Sequence, residues 1–471
     1  MTHNDPYRRR GDDDRSVAEV PRCTVQTVTS EAEFDRLETE WNELIENADV
    51  HVFQTFEWLR TWWEFFKGPR DRLHVILFSL DGKLVGIVPL YEKRAIFFGI
   101  VRFQFIGRGL SDYLNLIIRT GCEHLVLQEF GSYLHAHRHE WTLCDIESVN
   151  ERSTLMLQSP GVFEKSGLKV HCYQASISLS VGLPDSEEKL MTMMGETSRH
   201  NYKRKLKSFQ QKFNGRLEVV QVESNELAGA LEIFARVHGA RWKSLGYPSA
   251  FDDPRHLEFH ARFSEKFARR GWLRMLILRA KDEPVAVSYG FNFNKRIYLY
   301  QCNAIASREV MQCSPGIIIR VLTAADGVRS GMKILDYLRG GEQYKGREWE
   351  TQSDHNYFLR ITCPSGRKYW SFFPFIVGEL LLKGKKRFQE EYYEYRRFKR
   401  SKPHTFRGQL SYIGDKTKTL FGLGLKFIVH NVPGFRPVKV ELTDAKRDKN
   451  GTADRAEKPD LPEGPADTTA V

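Results

Sequence analysis

The chain has 471 residues, 41% of them hydrophobic and 28% charged, a balance that fits a folded protein of two or three domains and excludes a disordered or fibrous one. A net charge of +11 suits an anionic partner, whether nucleic acid, anionic membrane or a polyanionic small molecule, without choosing among them. The cysteines (Cys23, Cys122, Cys144, Cys172, Cys302, Cys313 and Cys363) are odd in number and none stands at C-x-x-C spacing, which argues against a disulfide scaffold or a cysteine metal site and for a reducing compartment.

Residues 1–20 are polar and charged, with no apolar signal-peptide core, and read as disordered. The longest apolar run, 371–382, is shorter than the roughly 20 residues a membrane span needs, so a cytoplasmic location is expected. From residue 23 an alternating strand leads to Ser30 and Glu33, which form a capping-box start to a helix reaching about residue 47. Residues 55–66 carry Phe56, Trp58, Trp62, Trp63 and Phe66, an aromatic density that belongs in a core. Asp81-Gly82 between apolar runs marks a hairpin over 73–90. Strands follow at 102–106, 113–118 and 141–146, with a helix over 123–135.

The same order then repeats. A strand is expected at 217–222, helices at 225–241 and 254–270, a strand–turn–strand at 273–291, a strand at 296–304, a helix over 314–331 and a strand at 334–338. Two copies of one unit result, over 23–180 and 190–362, with Asp145 and Asp336 in equivalent apolar strands. A run of cations at 199–207 separates them; it either steers an anionic donor or is a plain connecting helix. Residues 363–440 form a basic, aromatic helical extension. Its segment 383–407 reads as a surface for anionic membrane, RNA or a partner protein, or as a solvated helix packing its aromatics on the domain. Residues 441–471 read as a disordered tail. The fold class is α/β (α+β).

Motifs for a P-loop, a zinc protease or a nucleophile elbow are lacking. Two stretches remain. Cys313-Ser314-Pro315-Gly316 opens a helix with the Pro and Gly that suit a first turn and close backbone approach to a phosphate. In 334–349 a buried carboxylate, Asp336, is followed by Gly340-Gly341 and then Glu342, Tyr344, Lys345 and Arg347. Ligands bind outside the carboxyl ends of strands in open α/β sheets. Only the second copy continues from its Asp strand into such a cluster, so the active site is expected there.

Three passages carry a resemblance: Phe53-Gln54-Thr55-Phe56-Glu57-Trp58-Leu59-Arg60-Thr61-Trp62-Trp63, His238-Gly239-Ala240-Arg241-Trp242 with Gly246, and Ser314-Pro315-Gly316 running to Asp336-Tyr337-Leu338-Arg339-Gly340-Gly341-Glu342-Gln343-Tyr344-Lys345. Over about 23–362 the chain resembles the GNAT acyltransferases, and more narrowly the BioF2-like acetyltransferase domain of the CelD/BcsL type of exopolysaccharide-associated proteins. The doubled fold is also similar to the FemAB aminoacyl transferases of peptidoglycan synthesis. The fold's phosphate signature, Q/R-x-x-G-x-G/A, is not evident.

The resemblance implies tandem GNAT-like units with mixed central sheets flanked by helices, and acyl transfer from acyl-CoA, without a metal, to an amine such as an amino-sugar or envelope precursor. Asp336 or Glu342 would take the amine's proton, Tyr344 would return one to the departing thiolate, and Lys345 would hold an anionic donor. Ser314 and Gly316 would meet the donor's phosphates; His238, Arg241, Trp242 and Arg339 would bind the acceptor. Two other readings stay open: aminoacyl transfer from charged tRNA, and a non-catalytic scaffold of a polysaccharide-synthesis complex that lies against the inner face of the membrane.

Overall fold

The computed structural model describes residues 23–365 except 96–98, 220–223, 245 and 306, and leaves out the side chains of 217, 219, 224, 225, 343 and 344. The expectations for 1–20, for 383–407 with the rest of the extension past 365, and for 441–471 lie outside the described residues.

The first unit runs β1 (Cys23–Val28), α1 (Glu31–Arg36), α2 (Glu38–Ile45), α3 (Phe56–Phe66), β2 (Arg72–Leu80), β3 (Lys83–Arg94), β4 (Val101–Phe105), β5 (Ile117–Ile118), α4 (Glu123–Ala136), β6 (Leu143–Asn150), α5 (Thr154–Lys165) and β7 (Lys169–Gly182). The Ser30–Glu33 capping box forms as expected. The helix it starts breaks at Leu37, where the chain turns so that Phe34 and Trp41 both enter the core. The strand expected at 113–118 shortens to β5, because Tyr113, with Asp112 before it, turns to the other unit.

Two helices connect the units, α6 (Glu187–Met193) and α7 (Glu196–Phe213). The second unit repeats the order with β8 (Arg216–Val219), α8 (Ser224–Ser244), α9 (Pro254–Arg269), β9 (Leu273–Ala280), β10 (Glu283–Phe293), β11 (Arg296–Ala304), α10 (Arg308–Gln312), α11 (Pro315–Arg329), β12 (Ile334–Arg339) and β13 (Gln352–Thr362). In each unit a mixed sheet carries helices on both faces.

The two sheets are continuous, in the order β1-β2-β3-β4-β6-β13-β7-β12-β11-β10-β9-β8. The parallel pairs are β4 with β6 and β11 with β12; the flanking pairs are antiparallel. At the centre the units exchange strands. β6 pairs with β13 of the second unit, β12 pairs with β7 of the first, and β7 and β13 pair with each other. On one face α3 meets α9, and Trp58 packs edge-on against Phe259 and Phe263. The aromatic stretch read as core is core: Trp58 is fully buried. Among the described residues no helix is long and apolar enough to cross a membrane.

Candidate active site at the divergence of β11 and β12

β11 and β12 pair only over Arg296–Tyr298 and Ile334–Asp336, and then diverge. Two backbone irregularities shape the opening. Between Tyr289 and Phe291 of β10 the partner advances from Gln301 to Tyr298, so β11 carries one extra residue, a bulge at Leu299–Tyr300. Gly290 lies opposite, where a Cβ would fall 2.4 Å from the Tyr298 carbonyl oxygen; only glycine fits against the bulge. β12 has its own bulge past Asp336, with Leu338 at a φ of 60°. Bulges gather beside functional sites because they re-aim backbone and side-chain groups. β4, the counterpart of β11, pairs with β3 without a register shift.

Asp336 is wholly buried at this point. Its carboxylate accepts hydrogen bonds from the Leu338 N–H (2.8 Å), the Arg296 guanidinium (2.6 Å) and the hydroxyl of Tyr113, which comes from the first unit (2.9 Å). Burial still holds its pKa above the ordinary value against all three donors, because taking a carboxylate from water costs more than one cation and two dipoles return. For Arg296, burial works against the charge, but Asp336 outweighs it and the pKa is raised. The His51 ring lies against Tyr113 with centroids 4.4 Å apart, and its Nδ1 lies 2.9 Å from the Tyr298 hydroxyl. Burial, with Arg296 nearby, pushes His51 down to about 3, so it is neutral at pH 7. Beside this network the Arg339 guanidinium pairs with Asp112 at 2.8 Å, again across the two units.

The first unit shows what a closed version looks like. Asp145 holds the place of Asp336 and is equally buried. Opposite it on β13 stands Arg360, which donates two hydrogen bonds at 2.7 and 2.9 Å; opposite Asp336 on β7 stands Ser180. Burial works against ionisation of Asp145, but Arg360, Arg102 and Arg108 more than offset it and its pKa is lowered. Arg108 also reaches Glu147 at 2.6 Å and Gln104 at 3.4 Å, bridging the gap between the ends of β4 and β6.

Of the residues singled out from the sequence, Asp336, Arg339, Glu342 and Lys345 gather at the end of β12. The buried Lys345 ammonium donates to the carbonyls of Arg339 (2.7 Å) and Gly340 (3.1 Å) and pairs with Glu342 at 2.7 Å. All three of its N–H donors are thus directed at the strand end. The side chain of Tyr344 lies outside the described residues. Ser314 and Gly316 open α11, on the opposite sheet face from the Asp336 network. Ser314 is left-handed, with φ 52°, and its carbonyl accepts from Ile317 and Ile318. Pro315 has no N–H, so in that turn the Gly316 N–H is left to meet a ligand. Below it Arg320 pairs with Glu348, whose Oε2 is buried without a hydrogen-bond partner among the described residues. His238 is placed elsewhere: it is buried between α8 and α9, with Nδ1 2.9 Å from the Ser249 hydroxyl, and Arg241 and Trp242 continue along α8.

The residues that sequence reasoning missed are His51, Asp112, Tyr113, Arg296 and Tyr298. The one available signal was Gly107-Arg108-Gly109, which marks a loop just before Asp112-Tyr113; nothing local ties that loop to Asp336.

Residues 197–346 match a family described as Acetyltransferase (GNAT) domain. The fold is that of tandem GNAT-like units. A crystal structure of FemX is similar with a TM-score of 0.52 at 9% identity, covering 71% of this chain and 96% of that one. A tandem GNAT protein from the clavulanic acid biosynthesis pathway matches with a TM-score of 0.39 at 10% identity, over 71% and 98%. A conserved Bacteroides thetaiotaomicron protein of unknown function matches with 0.45 at 11%, over 72% and 100%. No curated protein matches the sequence. The GNAT-like units bring an acyltransferase fold; at these identities the structural likenesses speak for the fold alone.

Proposed function

We propose that the protein is an N-acyltransferase of the GNAT type, taking the acyl group of a CoA thioester into the divergence between β11 and β12 and passing it to an amine. The observation that carries this reading is the asymmetry of the two units. Both units bulge just past the buried Asp, at β6 and at β12, but only in the second is the strand that diverges from it, β11, also bulged, and only there is the Asp not locked by an arginine from the central strands.

The thioester supplies an activated acyl carbon. The amine nitrogen bonds to that carbon as the C–S bond breaks, the amine loses a proton, and the sulfur leaves as thiolate or, with a proton, as thiol. Gly316 N–H and the start of α11 would meet the donor's phosphates. The unpaired oxygen of Glu348 would accept from an amide N–H of the donor arm. Backbone N–H groups re-aimed by the β11 bulge would face the carbonyl oxygen as charge develops on it. Asp336, poised by burial and held by Tyr113, would receive the amine's proton directly or through water. Lys345 and Glu342 would fix the strand end that carries Arg339, and Arg339 would hold an anionic group of the acceptor. An amine-bearing sugar or envelope precursor, as in the CelD/BcsL type of protein, fits that acceptor class.

Acetyl-CoA and longer acyl-CoAs should raise the melting temperature of the full chain. Gly316→Ala should keep the apo melting temperature, since a Cβ there meets nothing closer than 3.6 Å, yet weaken the protection. No shift with any acyl-CoA would sink the reading; a shift with charged tRNA in its place would favour aminoacyl transfer.

A further inference from the structure

The cations of α7 have no role in the site just described. Seen down the helix at about 100° per residue, Tyr202, Lys205, Ser208 and Phe209 form its inward face. Tyr202 and Phe209 are buried, Lys205 donates to the Gln312 carbonyl, and the Ser208 hydroxyl lies 3.5 Å from Cys313 Sγ, one residue before Ser314. Lys203 and Lys207 point the opposite way and are exposed, with Arg199 and His200 beside them. Among the described residues no carboxylate pairs with Arg199, Lys203 or Lys207. A small ligand seated on Gly316 would lie on the inward side of α7 and could not reach Lys203 and Lys207. A partner that engages them would be a larger anionic body resting outside the mouth of the site.

The chemistry of that face selects among such bodies. Its Tyr202 and Phe209 rings are buried and the imidazole of His200 is the one ring among its outward positions, so it offers no run of rings on which successive nucleic-acid bases could stack. Its outward positions, His200, Lys203, Lys207, Gln210 and Gln211, are all polar, so it has nothing to insert into a bilayer. Cations one helical turn apart suit the carboxylates of an acidic protein surface. Met311 on the adjoining α10 is 39% exposed and adds an adaptable apolar contact at the rim.

Resting on the acyl-thioester reading above, we propose that the outward face of α7 docks an acidic carrier protein, whose phosphopantetheine arm delivers the acyl group past the start of α11. The experiment measures binding of an acidic acyl carrier protein, charged on its phosphopantetheine with an acetyl or octanoyl group, to the full chain and to the double variant K203E/K207E, with the matching CoA thioesters in parallel. The charged carrier should bind the wild type in a salt-sensitive manner and the double variant roughly tenfold more weakly, as two reversed rim charges imply. The CoA thioesters should protect both forms equally. CoA thioesters that bind while the carrier does not, or a carrier that binds both forms alike, would overturn the docking proposal and leave the acyl-thioester reading intact. Failure of carrier and CoA thioesters together would take both down. Salt-sensitive binding of bulk tRNA or phosphatidylglycerol vesicles that the double variant loses, with no carrier binding, would assign the face to that partner instead.

Discussion

Asp145 and Asp336 are the same residue in the same strand position, yet their surroundings set opposite stability terms. The folded pKa of Asp145 lies below 3.8, so its stabilisation is present above that pH and is lost as pH falls through the folded value. The folded pKa of Asp336 lies above 3.8, so its contribution is present at acid pH and is lost as pH rises through the raised value. Above that value the ionised Asp336 is a net cost. Asp145→Asn, which leaves Arg360 buried without its carboxylate, should cost about 3–5 kcal/mol, whereas Asp336→Asn should be close to neutral while removing activity. Urea unfolding at pH 7 separates the two, and equal losses would show that both carboxylates are structural. The buried histidines add a second dependence. Burial pushes His51 to about 3 and His74 and His238 to about 4, against an ordinary 6.5. The unfolded chain therefore takes up protons that the folded one refuses, and stability should fall as pH drops from 6.5 toward 4, by up to about 1.4 kcal/mol per pH unit for each histidine. A melting temperature unchanged between pH 7 and 5 would contradict this. Asp336 was legible in the sequence because a lone carboxylate in an apolar strand needs a partner. Tyr113 and Arg296 were not, because what makes them partners is a loop crossing between units and a strand register.

At the scale of elements, the bulge in β11 depends on Gly290 in the neighbouring strand. Gly290→Ala would push a methyl group onto the Tyr298 carbonyl, which is backbone and cannot swing aside. The expected cost is about 1–3 kcal/mol, together with weaker protection by acyl-CoA, because straightening the bulge re-aims the groups at the opening. Undiminished protection in a variant whose stability has dropped would detach the bulge from binding. Local pattern carried most of this level: the capping box at Ser30, the Asp81-Gly82 hairpin and the repeated strand–turn–strand are short-range signals, and each appears as an element. β7 and β13 were not read as strands. Their alternation is blurred, with polar and apolar residues mixed on both faces, because each lies between two strands at the junction and neither face belongs to one unit's core. The bulges were equally hidden, since Leu338 in a left-handed conformation is a choice that tertiary packing makes against local preference.

For the whole molecule the exchange of β7 and β13 matters most. Sequence order assigns β13 to the second unit and β7 to the first, but in the sheet each completes the other unit's half. A unit cut out alone would leave the edge of β6 or β12 unpaired and a long strand with nothing to pair against, and exposed apolar edges aggregate. The site is divided in the same way: Asp336 is in one part of the chain, while Tyr113 and Asp112 are in the other. Cutting between Asp185 and Ser186, in the connection after β7, separates the chain without breaking any element. Each fragment made alone should be poorly soluble or lack a cooperative unfolding transition. Made together, they should form a one-to-one complex that restores both the transition and the thermal response to acyl-CoA. If the fragment beginning at Ser186 folded alone and bound acyl-CoA like the intact chain, the second unit would be self-sufficient and the exchanged strands dispensable. If the complex formed but did not respond where the intact chain does, the continuity of the chain through α6 would be needed to seat Tyr113 on Asp336.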